Sequence, residues 1–288
     1  MPLEKAIGII DLLAGHNVFE INLIGGEPFL HKDLFEIIKH CEKHELAISV
    51  VTNGTLLGQE VIEKLASIRR FVLIVSLDGL KSTHDYIRGE GVFQRVDSAL
   101  KGLLEKDVAV EVIDTLNSVN LSEYREVIKY CQNLDIPCNF SLFKPFKPEH
   151  NALIPDPEEI FTIIVDLLSL RSGSDGYKKI GLSNAAIVAD LLGLPPRNEC
   201  RATLSGLVID VFGRMITCPS LVAAGYYKEE ELPFFDENFL EIWKNHETFV
   251  RFRENGFREC QARAYTFSNN VQGYDPYGVN AFKEFRAS

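Results

Sequence analysis

Short runs of β-prone residues alternate with amphipathic segments along the first 170 residues of this chain. Five such runs cover residues 19–24, 47–51, 71–76, 108–115 and 138–143, and apolar residues recur at helical spacing between them. This order is typical of parallel strands joined by helical crossovers, because parallel neighbours cannot be connected by a short turn. We therefore predict an α/β fold with an open sheet of five strands.

Several helices are marked by their first residues. A capping side chain is followed three residues later by Glu at three places, which are Asp33 with Glu36, Asn120 with Glu123, and Asp156 with Glu159. Residues 3–14 also have the apolar spacing of a helix. Cys41 and Cys131 fall on apolar helix stripes and Cys138 opens a strand, so all three are predicted to be core residues.

The pattern changes in the last third of the chain. Residues 171–199 contain a Gly- and Ser-rich stretch and a Pro-Pro pair, and they predict a bridge that carries one short apolar helix. Residues 207–217, with Gly213 at the turn, predict a β-hairpin, and the remainder is rich in loops. The predicted domains are residues 1–170, the bridge 171–199, and a small α+β extension over residues 200–288.

Charge and hydropathy narrow the class of partner. The net charge of −11 opposes binding to nucleic acid or to an anionic membrane surface, because phosphate groups would be repelled. No apolar stretch approaches the roughly 20 residues that span a bilayer, and residues 1–5 lack an export signal. The expectation is a cytoplasmic protein whose substrate is a peptide or a small molecule.

Small polar residues follow three successive predicted strands. The first run ends in Gly25, Gly26 and Glu27, the second in Thr52-Asn53-Gly54, and the third in Ser76-Leu77-Asp78-Gly79 with Arg88 further on. In parallel α/β folds ligands bind at the carboxyl ends of the strands. Glycines there let backbone donors approach a ligand, a carboxylate accepts hydrogen bonds from an ammonium group, and a guanidinium pairs with a carboxylate. A structural role for Arg88, in a surface ion pair with Asp85 or Glu90, is the alternative.

The order and spacing of these motifs, GGEP, TNG and SLDG followed by HDxxRG, resemble the radical S-adenosylmethionine (SAM) superfamily, particularly its peptide- and cofactor-modifying branch. The resemblance implies an incomplete (β/α)6 barrel that lacks its first strand. It also implies that Gly25, Gly26 and Glu27 hold the amino group of SAM, while Ser76 and Arg88 hold its ribose or carboxylate. Asn53 and Asp78 would make second-tier contacts, and His84 is predicted to be structural.

The same resemblance implies a CxxxCxxC loop before GGEP that binds a catalytic [4Fe–4S] cluster, yet no cysteine precedes Cys41. Reductive cleavage of SAM needs an electron delivered through that cluster, so we expect these residues to be inactive toward SAM. Two explanations stay open: a fragment of a longer enzyme, or a relative that has lost the chemistry. The full-length parent would use a SAM-derived radical to abstract hydrogen and would take electrons from a small donor protein.

Three later cysteines resemble the SPASM and twitch extensions of the family, where thiolates bind an auxiliary Fe–S cluster. Cys200 and Cys218 flank Gly213 with the spacing of the family hairpin, and Cys260 begins a segment similar to those of radical enzymes in heme synthesis. Phe257 and Gly278 stand where two further cysteines would be. The resemblance implies a tentative auxiliary site of three thiols, and buried cysteines without a cluster are the alternative.

Two rival functions remain at this point. One is a non-catalytic module that binds a peptide or a partner on the same barrel. The other is a metal-free hydrolase or lyase, for which neither a triad nor a His-carboxylate metal cluster is visible in the sequence. A last prediction concerns residues 19–24, which we expect to form an edge strand with one unpaired side. Such an edge favours self-association.

Overall fold

The computed structural model describes residues 1–146, 148–172, 177–183 and 185–287. The chain divides into two compact units. One consists of Pro2–Ser141 with Tyr177–Gly181, and the other of Leu142–Gly176 with Leu182–Ser288 and Met1. In the Gly- and Ser-rich stretch predicted to open the bridge, residues 173–176 lie outside the described residues. No helix in the described ranges has both the length and the apolar character needed to cross a bilayer.

The first unit alternates helices and strands, as predicted. Its helices are α1 (Leu3–Ala14), α2 (Leu34–Lys43), α3 (Gln59–Leu65), α4 (Lys81–Arg88), α5 (Val92–Glu105) and α6 (Tyr124–Asn133). Its strands are β1 (Glu20–Leu23), β2 (Ala47–Thr52), β3 (Phe71–Ser76), β4 (Val110–Leu116), β5 (Cys138–Leu142) and β6 (Ile180–Leu182). The predicted α1 helix is confirmed with the bounds expected from its apolar spacing.

The strands form one open sheet in the order β1-β2-β3-β4-β5-β6, with parallel neighbours. The expected number of five strands is therefore wrong. The sixth strand, Ile180–Leu182, lies in the segment predicted to be a bridge, and it pairs with β5 through the Cys138 N–H, which donates to the Lys179 carbonyl at 3.1 Å. Among the described residues β1 pairs only with β2, so the predicted edge strand is confirmed. The sheet does not close into a barrel.

The two faces of the sheet differ in polarity. One face carries buried apolar residues from successive strands, among them Val50, Leu73 and Val112, and α2 and α5 contact β2 and β4. The other face carries partly exposed residues at alternate positions, and several of them are polar. Glu111 accepts a hydrogen bond from Asn139, and the hydroxyls of Thr115 and Ser141 lie 3.1 Å apart. These polar side chains are partly exposed within the unit.

The predicted core cysteines Cys41, Cys131 and Cys138 are all fully buried, which confirms that expectation.

The predicted helix starts had different outcomes. The Asp156 carboxylate accepts hydrogen bonds from the Glu158 and Glu159 N–H groups, as a capping residue does. At α2 and after Asn120 no side-chain cap forms.

The second unit contains helices α7 (Pro157–Ser172), α8 (Ala185–Leu191), α9 (Pro219–Ala223), α10 (Phe239–Asn245), α11 (Glu247–Glu254), α12 (Gln261–Ser268) and α13 (Val279–Ala287). Strands β7 (Val208–Ile209) and β8 (Met215–Ile216) pair antiparallel, which confirms the predicted hairpin. Gly213 has φ +86° at its turn. An apolar cluster around Leu221, Tyr227 and Phe252 forms the core between the hairpin and helices α9, α11 and α12.

Candidate functional site

Glu27 is fixed in place by the end of the neighbouring strand. Its carboxylate accepts hydrogen bonds from the Thr52 hydroxyl at 2.8 Å, the Asn53 N–H at 2.8 Å and the Phe29 N–H at 3.1 Å. A Cβ added to Gly25 or to Gly26 would meet no atom of the described residues within 4 Å. The loop after β1 therefore presents an immobilised carboxylate beside open backbone.

The loop after β2 is shaped by Asn53. Its side-chain oxygen accepts hydrogen bonds from the Thr55 N–H at 2.9 Å and from the Thr55 hydroxyl at 2.6 Å. Gly54 follows with φ +75°, and an added Cβ there would lie 3.1 Å from the Val96 side chain. The Asn53 side chain thus folds its own loop, while its backbone N–H holds Glu27.

Asp78 and Arg88 form an ion pair beside the end of β3. The Asp78 carboxylate accepts from the Arg88 Nε and a terminal guanidinium nitrogen, each at 2.6 Å, and from the Thr115 N–H at 3.0 Å. Asp78 is 3% exposed and Arg88 is 34% exposed, so the pair fixes a guanidinium whose outer side faces solvent. Ser76, the last residue of β3, is half-buried.

This pairing corrects the alternative in which Arg88 bonds Asp85 or Glu90. The Asp85 carboxylate instead accepts hydrogen bonds from the Phe93 N–H and from Lys81. These contacts, the Phe93 N–H first, lower the pKa of Asp85 to about 2. The reason is the position of the two residues on α4. The Asp85 carboxylate bonds the first turn of α5, whereas the Arg88 side chain bonds Asp78 beside the end of β3.

His84 has a structural position, as predicted. The side chain is fully buried, and its Nδ1 accepts a hydrogen bond from the Asp78 N–H at 3.0 Å. Burial is the main cause that lowers the pKa of His84. A neutral imidazole therefore holds the turn that carries Asp78.

Glu123 has a role that the sequence analysis missed. It was expected to cap its own helix, but its carboxylate accepts hydrogen bonds from the Leu80 N–H at 2.8 Å and the Thr83 hydroxyl at 2.6 Å, and so caps α4. Gly79, with φ +99°, makes room for it, since an added Cβ would lie 2.8 Å from the Glu123 carboxylate. No local sequence pattern identifies this contact, because 43 residues separate its partners.

Asp114 is a second missed residue. It lies on the buried face of β4, where its Oδ1 accepts from Asn120 at 2.8 Å and its Oδ2 has no partner in the described part of the chain. Burial, followed by the nearby Asp78, raises the pKa of Asp114 well above its ordinary value. The sequence signal that could have identified Asp114 is an acidic residue at a position of β4 where the alternation of buried and exposed residues predicts an apolar one.

The three later cysteines, which the sequence predicted as ligands of an auxiliary cluster, all lie in the second unit. Cys218 and Cys260 are the N-cap residues of α9 and α12, and the Cys200 sulfur accepts a hydrogen bond from the Ala202 N–H at 3.3 Å. Burial is the main cause that raises the pKa of Cys200 and Cys218, and the charge of Cys260 adds to both. Their sulfurs are not all within 4.8 Å of one another.

The two positions at which the resemblance implied further cysteines have different neighbours. Phe257 packs on the apolar cluster and contacts the Phe252 ring. A Cβ on Gly278 would lie 1.6 Å from the Glu259 carboxylate, which accepts hydrogen bonds from the Val279 and Asn280 N–H groups at the start of α13. An acidic side chain therefore fills the space beside Gly278.

A buried ion network supports Cys260. Arg263 donates to both oxygens of Asp275, at 2.8 and 3.2 Å from Nε, and to Glu199 at 3.0 Å. Asp275 also accepts from the Cys260 N–H at 3.0 Å. Burial lowers the pKa of Arg263, but the negative charges around it, Cys260 and then Asp275, raise it well above its ordinary value.

Comparison with known proteins identifies the family of the chain. The profile of the radical SAM superfamily matches residues 1–131. AdoMet-dependent heme synthase of Methanosarcina barkeri (strain Fusaro / DSM 804) is 33% identical over 315 aligned residues, which cover 97% of this chain and 87% of that protein. Sporulation killing factor maturation protein SkfB of Bacillus subtilis (strain 168) is 32% identical over 131 residues, or 45% of this chain. That alignment spans about a third, 32%, of SkfB.

Solved structures show the same fold. Streptococcus suis SuiB, in its crystal structure with the precursor peptide SuiA, aligns with a TM-score of 0.76 at 14% identity, over 96% of this chain and 68% of that chain. An identity this low supports the fold alone. The extended match to the heme synthase, together with the superfamily profile over the strand ends, gives the family. The chain belongs to the radical SAM superfamily.

Proposed function

We propose that this chain binds SAM at the carboxyl ends of β1, β2 and β3 and forms the SAM-binding part of an enzyme that modifies a peptide or a tetrapyrrole. The observation that carries the proposal is the Glu27 carboxylate, which Thr52 and Asn53 hold beside the open backbone of Gly25 and Gly26. Such an arrangement suits an ammonium group flanked by a flexible chain.

The site residues fit the parts of SAM. An ionised carboxylate has about four acceptor positions, and Glu27 uses three of them, so one remains for the amino group of SAM. Arg88 donates two N–H groups to Asp78, and its other N–H groups can bond a carboxylate or a ribose oxygen of SAM. Ser76 supplies a hydroxyl on the same edge, and Asn53 and Asp78 act as second-tier contacts that orient Glu27 and Arg88.

The radical-generating cluster does not fit these 288 residues. They contain no CxxxCxxC, and Cys41, Cys131 and Cys138 are buried in the core. In the family, SAM bound beside that [4Fe–4S] cluster supplies the radical that abstracts hydrogen. These residues alone therefore bind SAM without cleaving it. A non-catalytic module that binds a peptide or partner is the second candidate.

An auxiliary Fe–S cluster fits in part. Three thiolates can hold a [4Fe–4S] cluster with one iron bound differently, and thiols around such a cluster lie about 6–7 Å apart. Cys200, Cys218 and Cys260 supply three thiols, and Cys218 and Cys260 each directly precede a helix. We propose that these three residues are the ligands of that site.

The substrate class rests on the relatives and on charge. SkfB matures a killing factor, SuiB was solved with a precursor peptide, and the Methanosarcina barkeri protein makes heme. A peptide is the substrate we favour, since the polar face of the sheet offers Glu111, Asn139 and Ser141 to backbone groups. A small electron-donor protein as the partner of the complete enzyme, and a cytoplasmic location, are part of the same proposal.

Calorimetric titration with SAM tests the binding site. We expect weak binding that Arg88→Ala reduces by about tenfold or more, because a charge-assisted contact contributes about 1.5–3 kcal/mol. Arg95→Ala is the matched control, since Arg95 is an exposed arginine on α5 in the same unit. Micromolar or tighter binding that survives Arg88→Ala overturns the site assignment. The second arm is anaerobic reconstitution with iron, sulfide and dithionite, after which 5′-deoxyadenosine should not exceed a no-protein control.

A further inference from the structure

Three metal-ligating side chains meet on the surface formed by α1 and α2. The Nε2 atoms of His40 and His44 each lie 2.7 Å from the Asp11 Oδ1. The three ligand atoms all lie within 4.8 Å of one another, and no other group of three such residues in the described ranges does so. From these contacts we propose that Asp11, His40 and His44 form a binding site for Zn²⁺, with water as the fourth ligand.

The residue types and their spacing suit this metal. Histidines four residues apart on a helix lie on the same face, so both imidazoles of α2 reach one point. Zinc binds His nitrogen at about 2.0–2.1 Å and carboxylate oxygen at about 2.0–2.2 Å in tetrahedral sites, which places ligand atoms about 3.4 Å apart. The observed 2.7 Å contacts need to open by about 0.7 Å to admit the ion.

The surroundings leave space for the metal and its water. The side chains of His40, His44 and Asp11 are 16%, 30% and 49% exposed. Gly8, one turn before Asp11 on α1, has open space where a Cβ would point. The two rings pack edge to face with centroids 5.0 Å apart, which holds both Nε2 atoms toward the carboxylate. Metal binding requires the imidazole protons on Nδ1, so the ion replaces two hydrogen bonds with three coordinate bonds, two to nitrogen and one to oxygen.

The metal site lies at the opposite end of the strands from the proposed SAM site. His44 is the C-cap of α2, three residues before β2 begins, and Asp11 is near the end of α1, shortly before β1 begins. These are the amino ends of the strands. Because it lies there, the metal has no part in SAM binding. Its role is to strengthen the packing of α1 on α2 next to the edge strand β1.

Cobalt(II) titration of the whole chain tests the proposal, because Co²⁺ replaces Zn²⁺ and its spectrum distinguishes nitrogen and oxygen ligands from thiolates. We expect visible bands without a thiolate charge-transfer band, and their displacement by one equivalent of Zn²⁺. His40→Gln, His44→Gln and Asp11→Asn should each weaken binding by about a hundredfold, since each removes one of three ligands. His16→Gln, at an exposed histidine beyond the end of α1, should not change it.

Thermal unfolding supplies a second measurement. Zinc should raise the midpoint of the unmodified chain and of His16→Gln, and should leave the midpoints of the three ligand variants unchanged. Circular dichroism of each variant without metal verifies that it has folded. The proposal is wrong if metal binds only through thiolates, if affinity is the same in His40→Gln and His44→Gln as in the parent, or if no metal binds. These outcomes do not depend on whether the chain binds SAM.

Discussion

The ion network of Arg263, Asp275 and Glu199 makes the sharpest stability prediction. Arg263→Met retains the length and apolar stem of the side chain but removes its charge. Two carboxylates would then remain buried without their cation, since the side chains of Asp275 and Glu199 are 0% and 5% exposed. Loss of one partner from a buried ion pair costs about 3–5 kcal/mol, because the other charge has lost its compensation. We expect a loss in this range from the free energy of unfolding of the second unit.

The geometry sets this magnitude. Arg263 makes four contacts with the two acids at 2.8–3.2 Å, including a bidentate pair with Asp275. Domains of this kind are stable by only about 5–15 kcal/mol, so the substitution should remove a large fraction of the total. It should also disturb the site at Cys260, whose N–H donates to Asp275.

Urea unfolding followed by tryptophan fluorescence measures the effect, because the single tryptophan of the chain, Trp243, lies on α10 in the second unit. Arg251→Met is the control. Arg251 is 46% exposed, and its nitrogen lies 3.8 Å from Glu231, so the loss should be below about 1 kcal/mol. A loss below 1 kcal/mol for Arg263→Met as well would refute the reasoning.

The pH dependence provides a further check on the same variant. Burial already raises the pKa of Glu199 above its ordinary value of 4.5, and Arg263 opposes that rise. Without Arg263 the pKa rises further, so the folded state binds a proton that the unfolded state has lost. The stability lost in Arg263→Met should therefore be small near pH 4.5 and should grow as the pH rises above it. A loss independent of pH would indicate a packing defect instead.

Two further predictions concern the first unit. Asp114→Asn should stabilise the first unit increasingly as the pH rises above 3.8, because the raised pKa of the buried carboxyl makes its ionisation costly only in the folded state. Denaturation monitored by circular dichroism at pH 4 and pH 8 measures the stabilisation. Equal midpoint shifts at the two pH values would contradict the prediction. Phe19→Lys should reduce self-association at the β1 edge, since Phe19 is 78% exposed beside a strand that pairs on one side only among the described residues. Sedimentation velocity measures the oligomer fraction, and an unchanged fraction would exclude this edge.

Local periodicity predicted most of the fold. The helix Leu3–Ala14, the first five strands, the edge position of β1 and the hairpin at Gly213 all depend on residues close together in sequence. The sixth strand was missed because Ile180–Leu182 has only three residues, too few for a periodic signal, and its pairing with β5 supplies the structure.

The contacts of the site were harder to predict than its residues. The motifs placed Glu27, Asp78 and Arg88 at neighbouring strand ends, but the Asp78–Arg88 pair was not expected. Glu123 fitted a capping box of its own helix and instead caps α4 across the fold. In both cases the observed partner is more distant in sequence than the expected one, because charged groups that are buried at the strand ends need hydrogen-bond partners.

The second unit shows what occupies the two positions at which the resemblance implied further cysteines. Phe257 is part of an apolar cluster and packs on Phe252. Beside Gly278, the Glu259 carboxylate fills the space that a side chain would take and accepts hydrogen bonds from the first N–H groups of α13. A thiol at position 278 would displace that carboxylate and uncap the helix, which costs about 1 kcal/mol. The two absences are therefore built into the packing, and a cluster at Cys200, Cys218 and Cys260 would depend on those three thiols.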